Sequence, residues 1–174
     1  MRTVAMGFVA ACLAAALTGC VQSRPDPLPG YRPASPVERA AVVGVVSEYD
    51  AVRNRAAVTG DIAPLYRAHP GLAHGEDRQT VVNAEGFFVE RMRALQVTGV
   101  TVDLEEREPV KVYVKETEAV AFVHGLETWD LPPGTGHTIS EIFTRIDLRH
   151  GTNGWLVERT DQVELGERIP PTPR

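Results

Sequence analysis

Near the end of the chain, Arg159 and Asp161 stand in a run whose alternation reads as a β-strand. Between Trp155 and Leu165, one face carries Trp155, Val157, Val163 and Leu165, and the other carries Leu156, Glu158, Thr160, Gln162 and Glu164. The first face is the more apolar and is expected inside, and period two takes Arg159 and Asp161 with it. Inward charges are uncommon unless paired or functional. Asp161 would act as a base or ligand acceptor, and Arg159 as an anion or carbonyl contact. Alternatively, the two form a structural ion pair or are carried to the sheet edge by strand twist. The run 119–129 leaves a choice of the same kind. If Val120, Phe122, His124 and Leu126 point inward, His124 is an interior acid or base. If the opposite face does, Glu127 and Trp129 are inside. A lone strand histidine is equally a hydrogen-bonded core residue. Glu141, on the next strand, reads as solvated.

Other chemistries are poorly served. His69, His74, Glu76 and Asp77 fall close together, but His-x4-His on a loop lacks the one-face geometry that a helix gives His-x3-His, so no metal site is expected. The four serines, Ser23, Ser35, Ser47 and Ser140, include no Gly-x-Ser-x-Gly elbow, and no glycine loop is built to cradle phosphate. No cofactor is implied. The formal charge of −5 without a basic run argues against nucleic acid and anionic lipid headgroups as partners.

The elements that must position these residues follow a clear order. Residues 1–19 combine Arg2, an apolar run from Val4 to Leu17 and small residues before Cys20, the pattern of a secretory signal. The run is shorter than the roughly 20 residues that cross a bilayer. Residues 20–35 hold Pro25, Pro27, Pro29 and Pro33 and read as an extended tether. Ser35-Pro36-Val37-Glu38 is a capping box with proline at the first helical position. The helix it opens carries Val42, Val45, Val46, Tyr49, Val52 and Ala56 at helical spacing, with Glu48, Arg53 and Arg55 between them, and Gly60 stops it. Asp61 caps a short second helix that Pro70 ends, and a third runs from about Thr80 to Leu95. The period then changes to two. Strands are expected around 100–104, 110–114, 119–129, 138–149 and 155–165, with a long loop Asp130–His137 and a final hairpin at 150–154. One domain, 36–166, and a tail, 167–174, complete the chain. The class is α+β: three N-terminal helices packed on one face of a curved antiparallel sheet.

Two resemblances add to this. Leu17-Thr18-Gly19-Cys20 resembles the lipobox of bacterial lipoproteins. It implies cleavage before Cys20, a diacylglycerol thioether on its sulfur and further acylation of the new amino terminus, enough chains for a stable anchor. Losing Arg2 with the signal takes the formal charge to −6, and losing Cys12 while acylating Cys20 leaves no free thiol and no disulfide. The location implied is the cell envelope, either the outer membrane or the outer face of the cytoplasmic membrane. The helix–helix–helix–meander order, ending in Gly154-Trp155-Leu156-Val157, resembles the NTF2-like or SnoaL-like cone fold over about residues 36–165. The family's short strand between helices two and three has only Leu72-Ala73 available here.

That resemblance implies an interior pocket that enzymes and non-enzymes both use, with Tyr49, Phe88, Trp129 and Trp155 as candidate lining. The expectation is a non-catalytic module that takes a small apolar ligand or an envelope protein, with a homodimer through the sheet as a further expectation of the fold. The alternatives are an enzyme of ketosteroid-isomerase or polyketide-cyclase type, drawing on Asp161, Arg159, His124 or Glu127, and a structural accessory of an envelope complex. A wet pocket with a carboxylate at its floor would mark the enzyme. A filled interior beside an exposed apolar sheet patch would mark the binding module.

Overall fold

The computed structural model describes residues 28–77 and 84–168. Side chains of 74–77, Ala84 and 163–168 lie outside that description, as do the Cys20 lipidation site and the signal segment. The capping box forms as the sequence dictates. Ser35 Oγ accepts from the Glu38 N–H, Glu38 Oε2 accepts from the Ser35 N–H, and α1 runs Pro36–Thr59. Gly60 ends it in the left-handed conformation at φ 75°, which costs a residue without Cβ nothing. Asp61 accepts from the Ala63 N–H, and α2 spans Ala63–Ala68. Pro70–Asp77 is a 3-10 helix, so Leu72-Ala73 forms no strand. Helix α3 is described over Ala84–Ala94.

The sheet has six strands among the described residues. The unforeseen one is β1, Arg32–Pro33, which pairs with β3, Lys111–Lys115. The folded part therefore starts inside the proline-rich stretch: Leu28 is buried and the Ala34 N–H donates to the Val112 carbonyl. Strands β4 (Glu118–Asp130), β5 (His137–Gly151) and β6 (Gly154–Arg168) continue the antiparallel order β1-β3-β4-β5-β6, and β6 reaches past the expected limit at 166. Strand β2, Gly99–Asp103, also pairs with β4. Along one edge, β4 bonds β3 over 118–122 and β2 over 126–130; along the other it bonds β5 over its whole length. All of this is α+β with an open antiparallel sheet and three α-helices, as the pattern predicts.

Two glycines permit close crossings. At Gly125, where β4 changes partner, a Cβ would lie 2.2 Å from the Asp103 carbonyl oxygen. At Gly71 a Cβ would lie 2.8 Å from Glu158 Cα, so the 3-10 helix can rest directly on β6. The strand is irregular at that place. Leu148 opposes Val157 and Asp147 opposes Arg159, leaving Glu158 as an extra residue in a β-bulge. The Val157 N–H donates to His69 Nδ1 at 3.3 Å. Burial lowers the pKa of that histidine, which favours the neutral ring that can accept on Nδ1.

The apolar core is in two clusters. One gathers Val42, Val46, Tyr49 and Leu65 against Val112, Ala121, Val123, Ile146 and Val157. The other gathers Ala56, Ala57, Phe88, Val89, Met92, Val100 and Trp129. Replacing Gly125 with alanine forces a Cβ into backbone, not into a yielding side chain, and is expected to cost about 1–3 kcal/mol. Urea unfolding of G125A checks this; an unchanged midpoint would show that β2 and β4 can separate there at no cost.

Candidate functional site

Between the two apolar clusters is a polar belt centred on Arg53. On α1 the buried positions run Val42, Val46, Tyr49, Arg53, Ala56, in alternating steps of four and three, so Arg53 occupies the core stripe. Its side chain is only 5% exposed. Glu85 from α3, Glu127 from β4 and Gln162 from β6 converge on it. Arg53 Nε donates to Glu85 Oε2 at 3.0 Å, Nη1 to Glu127 Oε1 at 2.7 Å, and Nη2 to Gln162 Oε1 at 3.1 Å. The guanidinium carbon is 3.4 Å from the centre of the Phe88 ring, a cation–π contact on the face that makes no hydrogen bonds. The other Glu85 oxygen accepts from the Tyr49 and Thr160 hydroxyls, each at 2.5 Å. Gln162 Nε2 reaches the second Glu127 oxygen at 3.4 Å.

The electrostatics follow from the charge count. Burial alone would lower the Arg53 pKa, but Tyr49, Glu85, Glu127 and Asp50 together push it above the ordinary arginine value. Burial, reinforced by Glu85, raises the Tyr49 phenol well above 10. Two carboxylates share one guanidinium, so the belt holds an excess of negative charge. Asp50, on α1 beside it, shows the consequence. Burial pushes its carboxyl up to about 7, Arg53 opposing and Glu127 and Glu85 adding to the rise. Asp50 Oδ2 is out of solvent and accepts no hydrogen bond, and the same is true of Asn54 Oδ1 one turn later. Both residues line a groove of about 580 Å³ between α1 and β2, beside Val58, Val100, Val102 and Leu104.

The candidate residues read from the sequence part company here. Glu127 and Trp129 face inward, so the second alternative for β4 holds. His124 is on the outer face, where Nε2 meets Glu141 at 2.9 Å and Nδ1 lies 3.5 Å from Glu108. Glu141 is thus a hydrogen-bond partner of His124 and an ion-pair partner of Arg107, not a merely solvated side chain. Arg159 and Asp161 are exposed, against the expectation that they face inward. The bulge at Glu158 is the reason. One extra residue reverses the alternation beyond it, so Thr160 and Gln162 point in. Val163 and Leu165, expected inside, have side chains beyond the described ones. Tyr49, Phe88 and Trp129 are interior as expected, whereas Trp155 is only half-buried, edge-on to His150 at 5.0 Å. Of the loop cluster, His69 serves the backbone of β6, and the side chains of His74, Glu76 and Asp77 lie outside the described residues.

Arg53, Glu85, Asp50, Thr160 and Gln162 were not identified as site residues from the sequence. The four-and-three stripe on α1 is a signal that includes Arg53; nothing local marks the bulge that brings in Thr160 and Gln162. Arg53→Met is expected to cost about 3–5 kcal/mol, because two carboxylates lose their buried partner. Adding Glu127→Gln should recover part of the loss in urea unfolding. Strictly additive losses in the double variant would mean the two side chains are not coupled.

Comparison with family models, with curated proteins and with solved structures finds no match to this chain.

Proposed function

We propose that this chain is a lipoprotein of the cell envelope, anchored through Cys20, whose NTF2-like domain binds a ligand or an envelope protein and catalyses nothing. The observation that carries the non-catalytic part is the commitment of the interior charges to one another. A general base must come within hydrogen-bonding reach of its substrate's proton. Glu127 is fully buried and its oxygens are engaged by Arg53 and Gln162. Arg159 and Asp161 are exposed on the other side of the sheet from the helices, and His124 is tied to Glu141. Three helices followed by an antiparallel meander, with Tyr49, Phe88 and Trp129 filling the inside, support the cone assignment.

Partner binding has support on the outer sheet face. Tyr113, Phe122 and Phe143 form a row of rings, with centres 6.1 and 6.0 Å apart, and His124 stands edge-on to Phe143 at 6.3 Å. Aromatic rows with charged flanks suit a protein partner or a second copy of the chain. The enzyme alternative keeps one foothold, Asp50, a carboxyl near pH 7 beside a groove. For the anchor, the support is the motif at Leu17–Cys20; among the described residues no helix is long and apolar enough to cross a membrane.

Two measurements on the full chain test the proposal. Expressed in bacteria fed tritiated palmitate, the chain should take up label that Cys20→Ser abolishes; an unlabelled wild-type chain would overturn the anchor. Treatment with a water-soluble carbodiimide and an amine, followed by peptide mass spectrometry, should leave Glu85 and Glu127 unmodified until urea unfolds the domain. Modification of either in the folded chain would mean an open interior and would favour the enzyme.

A further inference from the structure

Which backbone groups β2 turns away from the sheet follows from a bond at the far end of β4. The His150 N–H donates to the Thr117 carbonyl, one step beyond the paired Glu118 and Arg149. Opposed residues of an antiparallel ladder alternately exchange two bonds and none. Strand β4 therefore turns its odd-numbered residues toward β5 and its even-numbered ones toward β2 and β3. Thr101 and Asp103 oppose the even-numbered Thr128 and Leu126 and bond to β4. Val100 and Val102 oppose the odd-numbered Trp129 and Glu127, so their N–H and C=O groups point away from β4. The same count sends the Val112 carbonyl of β3 outward, where it accepts from the Ala34 N–H at the end of β1. Strand β3 thus carries β1 on its outer side. Among the described residues, β2 carries no such strand.

Two adjoining hollows of about 690 and 580 Å³ run along β2, and Ser47, Thr101, Val102 and Leu104 belong to the wall of both. The larger reaches Val43 on α1, and it also reaches Leu126 and Thr128 on the outer face of β4. A hollow bounded from both faces of a strand passes over its edge, so β2 is open at Val102. Thr101 and Asp103 on either side are exposed. The strand has neither the lysine nor the proline that commonly blunts an open edge. The wall is mixed, with Val43, Val58 and Leu104 apolar and Ser47, Thr59 and Thr101 polar. Charge is one-sided at the end of β2. Asp103, Glu105 and Glu106 line the larger hollow, which has no cation in its wall; Arg39 pairs with Glu105, and Arg55 lines the smaller hollow only.

We propose that the free edge of β2 takes an extended, basic peptide segment of a partner protein as an added antiparallel strand. Its backbone bonds to Val102 and Val100, and its lysine or arginine side chains stand against Asp103 and Glu106. The inference rests on the binding reading above and gives the partner a chemistry. Only a strand brings N–H and C=O groups at the spacing of the ladder, and alternate side chains then meet the two sides of the edge. An acidic segment would meet three carboxylates at the end of β2. A small apolar molecule would leave the outward backbone groups without partners.

The test applies the full chain in detergent to an array of hexapeptides, each a valine and threonine core flanked by lysines, glutamates or serines. Fluorescence anisotropy then gives the affinities of those that bind. Lysine-flanked peptides should bind about tenfold more tightly than their glutamate-flanked counterparts, and Glu106→Lys should remove that preference. Val102→Pro deletes an N–H that β4 does not use, so it should fold and melt well above Thr101→Pro, which deletes a bond to β4. Val102→Pro, and separately methylation of alternate peptide nitrogens, should each weaken binding by about tenfold. Equal melting of the two proline variants would overturn the assignment of the free edge. Binding that survives both Val102→Pro and methylation would overturn strand addition. Equal affinity for lysine and glutamate flanks would overturn the basic class of the partner. Self-association of the chain that Val102→Pro abolishes would overturn the peptide in favour of a second copy. Binding of no peptide would overturn the edge as a docking site, leaving the outer sheet face to carry the binding reading.

Discussion

Everything in the interior is arranged around a guanidinium that three elements share. Arg53 joins α1 to α3 through Glu85, to β4 through Glu127 and to β6 through Gln162; the two carboxylate bonds are buried and the Gln162 bond is part-buried. Hydrocarbon contacts tolerate small displacements, but a fork of N–H donors with fixed geometry does not. The arginine therefore sets how far the helices lie from the sheet and which residues of β4 and β6 look inward. Such an arrangement adds little net stability compared with apolar side chains of equal volume, because three charged groups must be desolvated. Its contribution is selectivity among packings: a one-residue slip of β4 would withdraw Glu127 and leave both charges stranded.

The same belt explains why the apolar core is divided. Tyr49 belongs to one cluster and Ala56 to the other, and Arg53 sits between them on the helix; Val123 and Trp129 are divided likewise by Glu127 on β4. Tyr49 bridges the two kinds of environment, its ring in the apolar cluster and its hydroxyl on Glu85. Carboxylates outnumber cations in the belt, and the surplus is felt at Asp50, toward the surface.

Much of the architecture was legible in the sequence because local rules determine it. Ser35, Pro36 and Glu38 start α1 and Gly60 stops it; the alternation from Val100 onward marks the strands to within a residue or two for β2 to β5. What was not legible depends on contacts between distant segments. Two residues, Arg32 and Pro33, become a strand only because β3 offers an edge. Arg53 looked like part of a solvated face because arginine usually is, although its place on the stripe marks it as interior. Arg159 and Asp161 were placed inside by a correct count along an ideal strand. The count failed because Gly71 and His69, far away in sequence, hold the chain at Glu158 in a bulge.

That bulge has a consequence for how β6 can change over time. Up to Glu164 the strand is written in two frames, one before Glu158 and one after it, joined by a single extra residue; a second register shift follows at Leu165. A substitution in the second frame is judged by the opposite face from the same substitution in the first. Deleting one residue near the junction would merge the frames and exchange the faces, putting Arg159 and Asp161 where Thr160 and Gln162 now meet the belt. Length at this point is therefore under stronger constraint than identity: β6 can vary its letters more freely than it can vary their number.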